Sequence, residues 1–77
     1  MNISISDFII HVDESLTREQ LDRLESTIRE SSCVVSAAAN DRTPHLMLVA
    51  YNPDCINSKV ILENVTSQGL RATAFGL

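Results

Sequence analysis

Residues 16–28 read LTREQLDRLESTI, and this stretch opens a helix. Thr17-Arg18-Glu19-Gln20 is a capping box: the Thr17 side chain can accept from the Gln20 amide, while the Gln20 side chain reaches back to the Thr17 amide. Leu16 and Leu21 have the spacing of a hydrophobic staple across that cap. Leu21, Leu24 and Ile28 then recur at i, i+3 and i+7, which puts one apolar stripe on the helix. Glu19/Arg23 and Glu25/Arg29 are i,i+4 pairs in the favourable order, expected on the solvent side. The spacing predicts a helix from about Arg18 to Glu30.

Working outward, Asp7–Val12 (DFIIHV) is short and rich in Ile, Val and Phe, and it predicts a strand. After the helix, Cys33–Ala39 (CVVSAAA) predicts a second strand, and Asn40–Pro44 is turn-rich enough for a hairpin loop. His45–Tyr51 (HLMLVAY) is apolar nearly throughout, as suits a central strand. Asn57 is placed to cap a second helix whose core face is Ile61, Leu62 and Val65, with Ile56 and Ile61 as its staple. Gly69 falls where a helix end wants the left-handed conformation. Leu70–Leu77 (LRATAFGL) completes the order as a last strand. Strand, helix, strand, strand, helix, strand is the α+β ferredoxin-like βαββαβ sandwich: a four-stranded antiparallel sheet with two helices on one face.

The chain has 77 residues, enough for one domain with a modest, mainly aliphatic core, since it contains no Trp, one Tyr and two Phe. A domain this small gains from oligomerisation or a bound ligand. The net charge of −4 argues against nucleic acid, whose affinity comes largely from Lys and Arg on phosphates. No apolar run approaches the roughly 18 residues that a membrane span needs. The opening Met1-Asn2-Ile3-Ser4 lacks the basic and apolar regions of a secretory leader, so the expected address is cytoplasmic. In a reducing compartment Cys33 and Cys55, far apart in sequence, are expected to be small apolar residues rather than a disulfide.

The topology places His11, at the end of the first strand, and His45, just after the hairpin, toward one rim of the sheet. Cys33 and Cys55 go toward the opposite rim, so one site built from all four is not expected. Alternation puts Phe8, Ile10 and Val12 in the core and turns Ile9 and His11 to the uncovered face. The third strand offers either Leu46/Leu48/Ala50 or Met47/Val49/Tyr51 to that face. An apolar open face calls for a partner. Ile9, Leu46 and Leu48 are its candidate interface residues, in a homodimer or against another protein.

Several segments resemble the heavy-metal-associated (HMA) domain of copper chaperones and metal-pumping ATPases. Val12-Asp13 and the following helix are similar to the family's Val-x-Gly-Met-x-Cys-x-x-Cys segment, with Gln20–Glu25 in the helix after it. Cys33–Ala37 stands in the place of its Gly-Val-x-x-Val. Val49-Ala50-Tyr51-Asn52-Pro53 is similar to its Val-x-Tyr-Asp-Pro, and Gly69-Leu70-Arg71-Ala72 to its Gly-Tyr-x-Ala. The likeness covers about Phe8 to Thr73 without gaps. It implies the same fold and an association with metal handling, and it is nearest to small bacterial HMA-like proteins that have lost the cysteine pair. Thr17 and Gln20 occupy the two metal-cysteine positions, however, and soft Cu(I) in this family needs thiolates.

Metal ligands must therefore come from elsewhere. His11 and His45 could bind a divalent transition metal (Cu, Zn or Ni), with Asp13 (as a weaker ligand), Glu14 or a second protomer completing the shell. The alternative for the two rings is a solvated strand end and a hairpin flank, and for Asp13-Glu14 a polar loop before a helix N-terminus. No acylphosphatase-like basic cradle follows the first strand, and no aromatic platform for RNA lies on the middle strands. No nucleophile with a supporting base can be argued, so no catalytic residue is expected. Two functions remain: a non-enzymatic HMA-like metal-handling domain using His ligands, or an interaction module on the open face with no metal.

Overall fold

A computed structural model describes residues 4–76. Met1–Ile3 of the segment read for a leader, and Leu77 of the expected last strand, lie outside the described residues. The elements are β1 (Ser6–Val12), α1 (Arg18–Arg29), β2 (Val34–Asn40), β3 (Thr43–Tyr51), α2 (Ser58–Thr66) and β4 (Ala72–Gly76). All strand pairings are antiparallel, in the order β2-β3-β1-β4. This is the expected βαββαβ sandwich.

One face of the sheet carries the core. Phe8, Ile10 and Val12 from β1, Ala37 from β2 and Met47 and Val49 from β3 pack in one cluster with Leu24 and Ile28 of α1 and Ile61 and Val65 of α2. Both helices therefore cover the same face. The Phe8 and Tyr51 rings meet edge to face, with centroids 5.4 Å apart. Ile10, Met47, Val49, Ile61 and Val65 are the largest fully buried side chains.

Local signals hold at both helix starts. The Thr17 amide donates to Gln20 Oε1 at 2.8 Å, and the Gln20 amide donates to Thr17 Oγ1 at 3.1 Å. Asn57 Oδ1 accepts from the Lys59 amide at 2.8 Å. Gly69 has φ +84°, which a side chain would strain, though it lies two residues beyond the Ser67 cap of α2.

Three expectations need correcting. The hairpin loop is shorter than expected, because β2 runs to Asn40 and β3 begins at Thr43, leaving a two-residue turn at Asp41-Arg42. Pro44 is tolerated in β3 because β1 pairing begins only at Leu46. Glu25 is not paired on the solvent side with Arg29. It is 6% exposed and faces β2, where its Oε2 accepts from the Ala39 amide at 2.6 Å and its Oε1 from Arg18 at 2.9 Å. Only Glu19–Arg23 forms as the spacing suggested, at 3.1 Å.

The third correction is the cysteines: Cys33 and Cys55 are bonded as a disulfide, with Cα atoms 5.5 Å apart. The Asn52 amide donates to the Cys33 carbonyl at 2.8 Å. That bond extends the β2–β3 pairing one step past Val34–Tyr51 and brings residue 33 level with the loop holding Cys55.

Candidate functional site: a histidine pair at the sheet rim

β1 and β3 run antiparallel with His11 opposite Leu46. This register sets His45 beside Val12, at the rim where β1 ends. The two imidazole rings are roughly parallel, with an interplanar angle of 24° and centroids 6.0 Å apart. They arrive from different sides of the sheet. His11 shares the parity of Ile9 on the open face, whereas His45 shares that of the buried Met47 and Val49.

The surrounding acceptors fix which ring nitrogens are available. His45 Nδ1 lies 2.7 Å from the Val12 carbonyl oxygen. His11 Nδ1 lies 3.2 Å from Asp13 Oδ1. A carbonyl and an ionised carboxylate can only accept, so in both rings Nδ1 carries the proton. Each neutral ring then presents Nε2 as its lone-pair nitrogen. A carboxylate or backbone carbonyl on the second ring nitrogen is the usual support of a metal-ligating histidine. Asp13, expected as a weaker ligand, is thus placed to orient His11. Glu14 is engaged elsewhere: its carboxylate accepts from the Arg71 amide at 2.9 and 3.1 Å, and the Asp13 amide donates to the Arg71 carbonyl at 2.8 Å.

Two imidazoles make a partial shell. Among the described residues, no group of three or more His, Cys, Asp or Glu side chains is placed to hold a metal ion. The two positions that match the family's metal cysteines add nothing, since the side chains of Thr17 and Gln20 are both engaged in the α1 cap. A shallow cleft beside that cap is lined by Leu16, Gln20, Arg23, Leu24, Gln68 and Leu70. It contains no thiol, imidazole or carboxylate.

The open face carries one continuous apolar row. The strand registers align Phe75, Ile9, Leu48 and Ala38 in one row across all four strands. Phe75 is 54% exposed, Leu48 50% and Leu46 37%. Of the two sets β3 could have offered, the structure turns Leu46, Leu48 and Ala50 outward and buries Met47 and Val49. His11 lies in the adjacent row, between Thr73 and Leu46.

Solved structures share this fold. A protein from Bacillus anthracis strain Ames, named for copper-ion binding, superposes with a TM-score of 0.81 at 14% identity, over 94% of this chain and 100% of its own. The copper-binding domain of HMA7, a P-type ATPase, gives 0.80 at 14% identity, over 92% of this chain and 95% of that one. The fold is HMA-like. The N-terminal domain of the zinc(II) ATPase ZiaA, in its apo form, gives 0.71 at 15% identity, over 95% of this chain and 66% of that one. No family model matches the sequence, and no curated protein matches it. At these identities the likeness concerns the fold, and function must be argued from the site. Among the described residues of this HMA-like chain, no helix is long and apolar enough to cross a membrane.

The sequence missed two features. Arg18 is the centre of an ionic cluster. It reaches Asp22 at 2.7 Å, Glu25 at 2.9 Å and Asp41 at 3.1 Å. Asp22, Glu25 and Asp41 hold its guanidinium protonated well above the usual range. Its contact to Asp41 spans 23 residues, a separation that helical periodicity does not reveal. The disulfide did leave a signal, because residues just before the second strand and just after the third flank the open end of a hairpin and must be neighbours.

Proposed function

We propose that this chain is a non-enzymatic HMA-like domain that carries a divalent transition metal as cargo on the Nε2 atoms of His11 and His45. The observation behind this reading is the pair of stacked rings, each with Nδ1 anchored by an acceptor and Nε2 free. Neutral imidazole nitrogen suits Zn(II), Cu(II) and Ni(II). Two protein ligands leave a tetrahedral ion two open positions, which fits a cargo passed between carriers better than a permanent structural ion. The rings must converge to share one ion, and on the open side of the rim the exposed Asp13 carboxylate can move with His11 as it turns. The metal-binding names of two structural neighbours and the ATPase origin of the third accord with such a role. We keep the cytoplasm as its proposed setting.

Calorimetric titration of the oxidised protein with Zn(II) or Cu(II) tests the proposal while the thiols are blocked by the disulfide. A saturable heat that disappears in His11→Ala is expected. No saturable heat, or the same heat in the variant, ends it.

A second reading rests on the row Phe75–Ile9–Leu48–Ala38. A solvent-facing apolar stripe across a whole sheet is what an interaction surface offers. On this reading the chain pairs with a second copy or another protein through that face and needs no metal. Native mass spectrometry of untagged protein separates the two: an apo dimer supports this reading, and a metal-loaded species lost in His11→Ala supports the first.

A further inference from the structure

We propose that Cys33 and Cys55 form a second metal site at the opposite rim, a reducible dithiol that takes up monovalent copper when the disulfide is open. The two sulfurs are already in bonding contact, and the backbone around them is held by bonds that do not involve sulfur. The Asn52 amide donates to the Cys33 carbonyl at 2.8 Å, and the Cys55 and Ile56 amides both donate to the Asn52 carbonyl at 3.1 Å. The Cys33 amide donates to Ser31 Oγ at 3.2 Å. Reduction therefore leaves two thiols on a preformed frame, with Cα atoms 5.5 Å apart. Two metal–sulfur bonds of about 2.3 Å span about 4.6 Å when collinear. That separation is within reach of a rotation of Cys55, which is exposed in the turn after β3.

The ligand type selects the ion. Paired thiolates favour soft Cu(I), which imidazole and carboxylate sites hold less well. A coordinated thiol is deprotonated by the metal itself. The chain contains no other cysteine, so these two are its whole supply of soft anionic donors. The site is distinct from the His11–His45 pair and stands or falls separately from it. A reducing compartment would keep the pair open.

The chemistry balances with a dithiol as reductant. One reductant thiolate attacks a cysteine sulfur and breaks the S–S bond, giving a mixed disulfide. The partner cysteine leaves as a thiol, and the second reductant thiol then attacks the reductant's own sulfur in the mixed disulfide and displaces the first cysteine. Two electrons and two protons pass to the protein, and the reductant leaves as its own disulfide. Binding of Cu(I) to the two thiols then releases two protons.

The experiment uses the full chain, reduced and freed of reductant without oxygen, and titrated against Cu(I) held by a coloured bicinchoninate complex. The reduced protein is expected to withdraw one Cu(I) per chain, bleaching the chelator and adding thiolate-to-copper absorption in the ultraviolet. The oxidised protein should withdraw none with that signature. Cys55→Ser should bind at least tenfold more weakly, and His11→Ala should match the wild type. The oxidised–reduced comparison needs no variant, and circular dichroism confirms that the reduced chain is folded. Copper left entirely with the chelator by the folded reduced protein overturns the proposal. So does equal withdrawal by the reduced wild type and a folded Cys55→Ser, or unfolding of the chain on reduction.

Discussion

Glu25 accepts a 2.6 Å hydrogen bond from the amide of Ala39, joining the middle of α1 to the edge strand β2. Arg18 completes the contact, donating to the other Glu25 oxygen at 2.9 Å and to the Ala39 carbonyl at 3.3 Å. Both backbone polar groups of Ala39 are thereby covered. An uncovered edge strand invites pairing with another chain, so one buried carboxylate both docks the helix and shields the edge. Glu25→Ala leaves the Ala39 amide without its acceptor and should cost about 1–3 kcal/mol. Glu25→Gln keeps an acceptor and should lose less. Urea denaturation measures both, and an unchanged midpoint in Glu25→Ala would remove the contact from any account of stability.

The disulfide should stabilise the fold through the chain it closes. Cys33 and Cys55 are separated by 22 residues, and closing a loop of that length corresponds to about 3 kcal/mol in the chain-entropy picture. Reduction by a phosphine should lower the unfolding free energy by about that amount and still leave a cooperative transition. Parallel denaturation curves with and without the phosphine check this. Coincident curves would mean that the hairpin pairing alone holds these ends together.

The fold was legible because its determinants are local and agree with one another. Thr17 and Asn57 announce the helix starts, and Phe8, Ile10 and Val12 alternate with residues of the other face. The meeting of His11 and His45 also followed, since strand order and antiparallel pairing alone bring those two positions to one rim. What local patterning could not supply was the identity of long-range polar partners. Glu25 has a plausible partner four residues on, yet it turns inward because an amide on β2 and a guanidinium about two helical turns earlier offer better terms in a drier place. The cysteines were misjudged for a different reason. A general expectation about reducing compartments outweighed hairpin geometry that already made residues 33 and 55 neighbours.

Leu48 stands in the middle of the open face, between Ile9 and Ala38, and is half exposed. A charge at this position should leave the monomer's core intact, because Met47 and Val49 carry the packing of β3. If the face pairs with a second copy, Leu48→Asp should convert a dimer to a monomer with little change in the monomer's circular dichroism. Light scattering coupled to size exclusion reads this out. A wild type that stays monomeric at high micromolar concentration would dispose of self-association through this face.

Asp13 provides the sharpest test of how the histidine pair is supported. Its carboxylate lies 3.2 Å from His11 Nδ1, where it fixes the tautomer and leaves Nε2 as the lone-pair nitrogen. Groups in this position, which touch the ligand and not the metal, typically contribute about 10–100-fold to metal affinity. Asp13→Ala should therefore weaken Zn(II) binding by at least about tenfold while leaving the stoichiometry unchanged. His11→Ala should abolish binding outright. Because both rings must be neutral to ligate, the ion should also be released on acidification. Titration of the two variants side by side decides the matter: if Asp13→Ala binds as tightly as the wild type, the carboxylate plays no supporting part, and if it abolishes binding as His11→Ala does, Asp13 is itself a ligand.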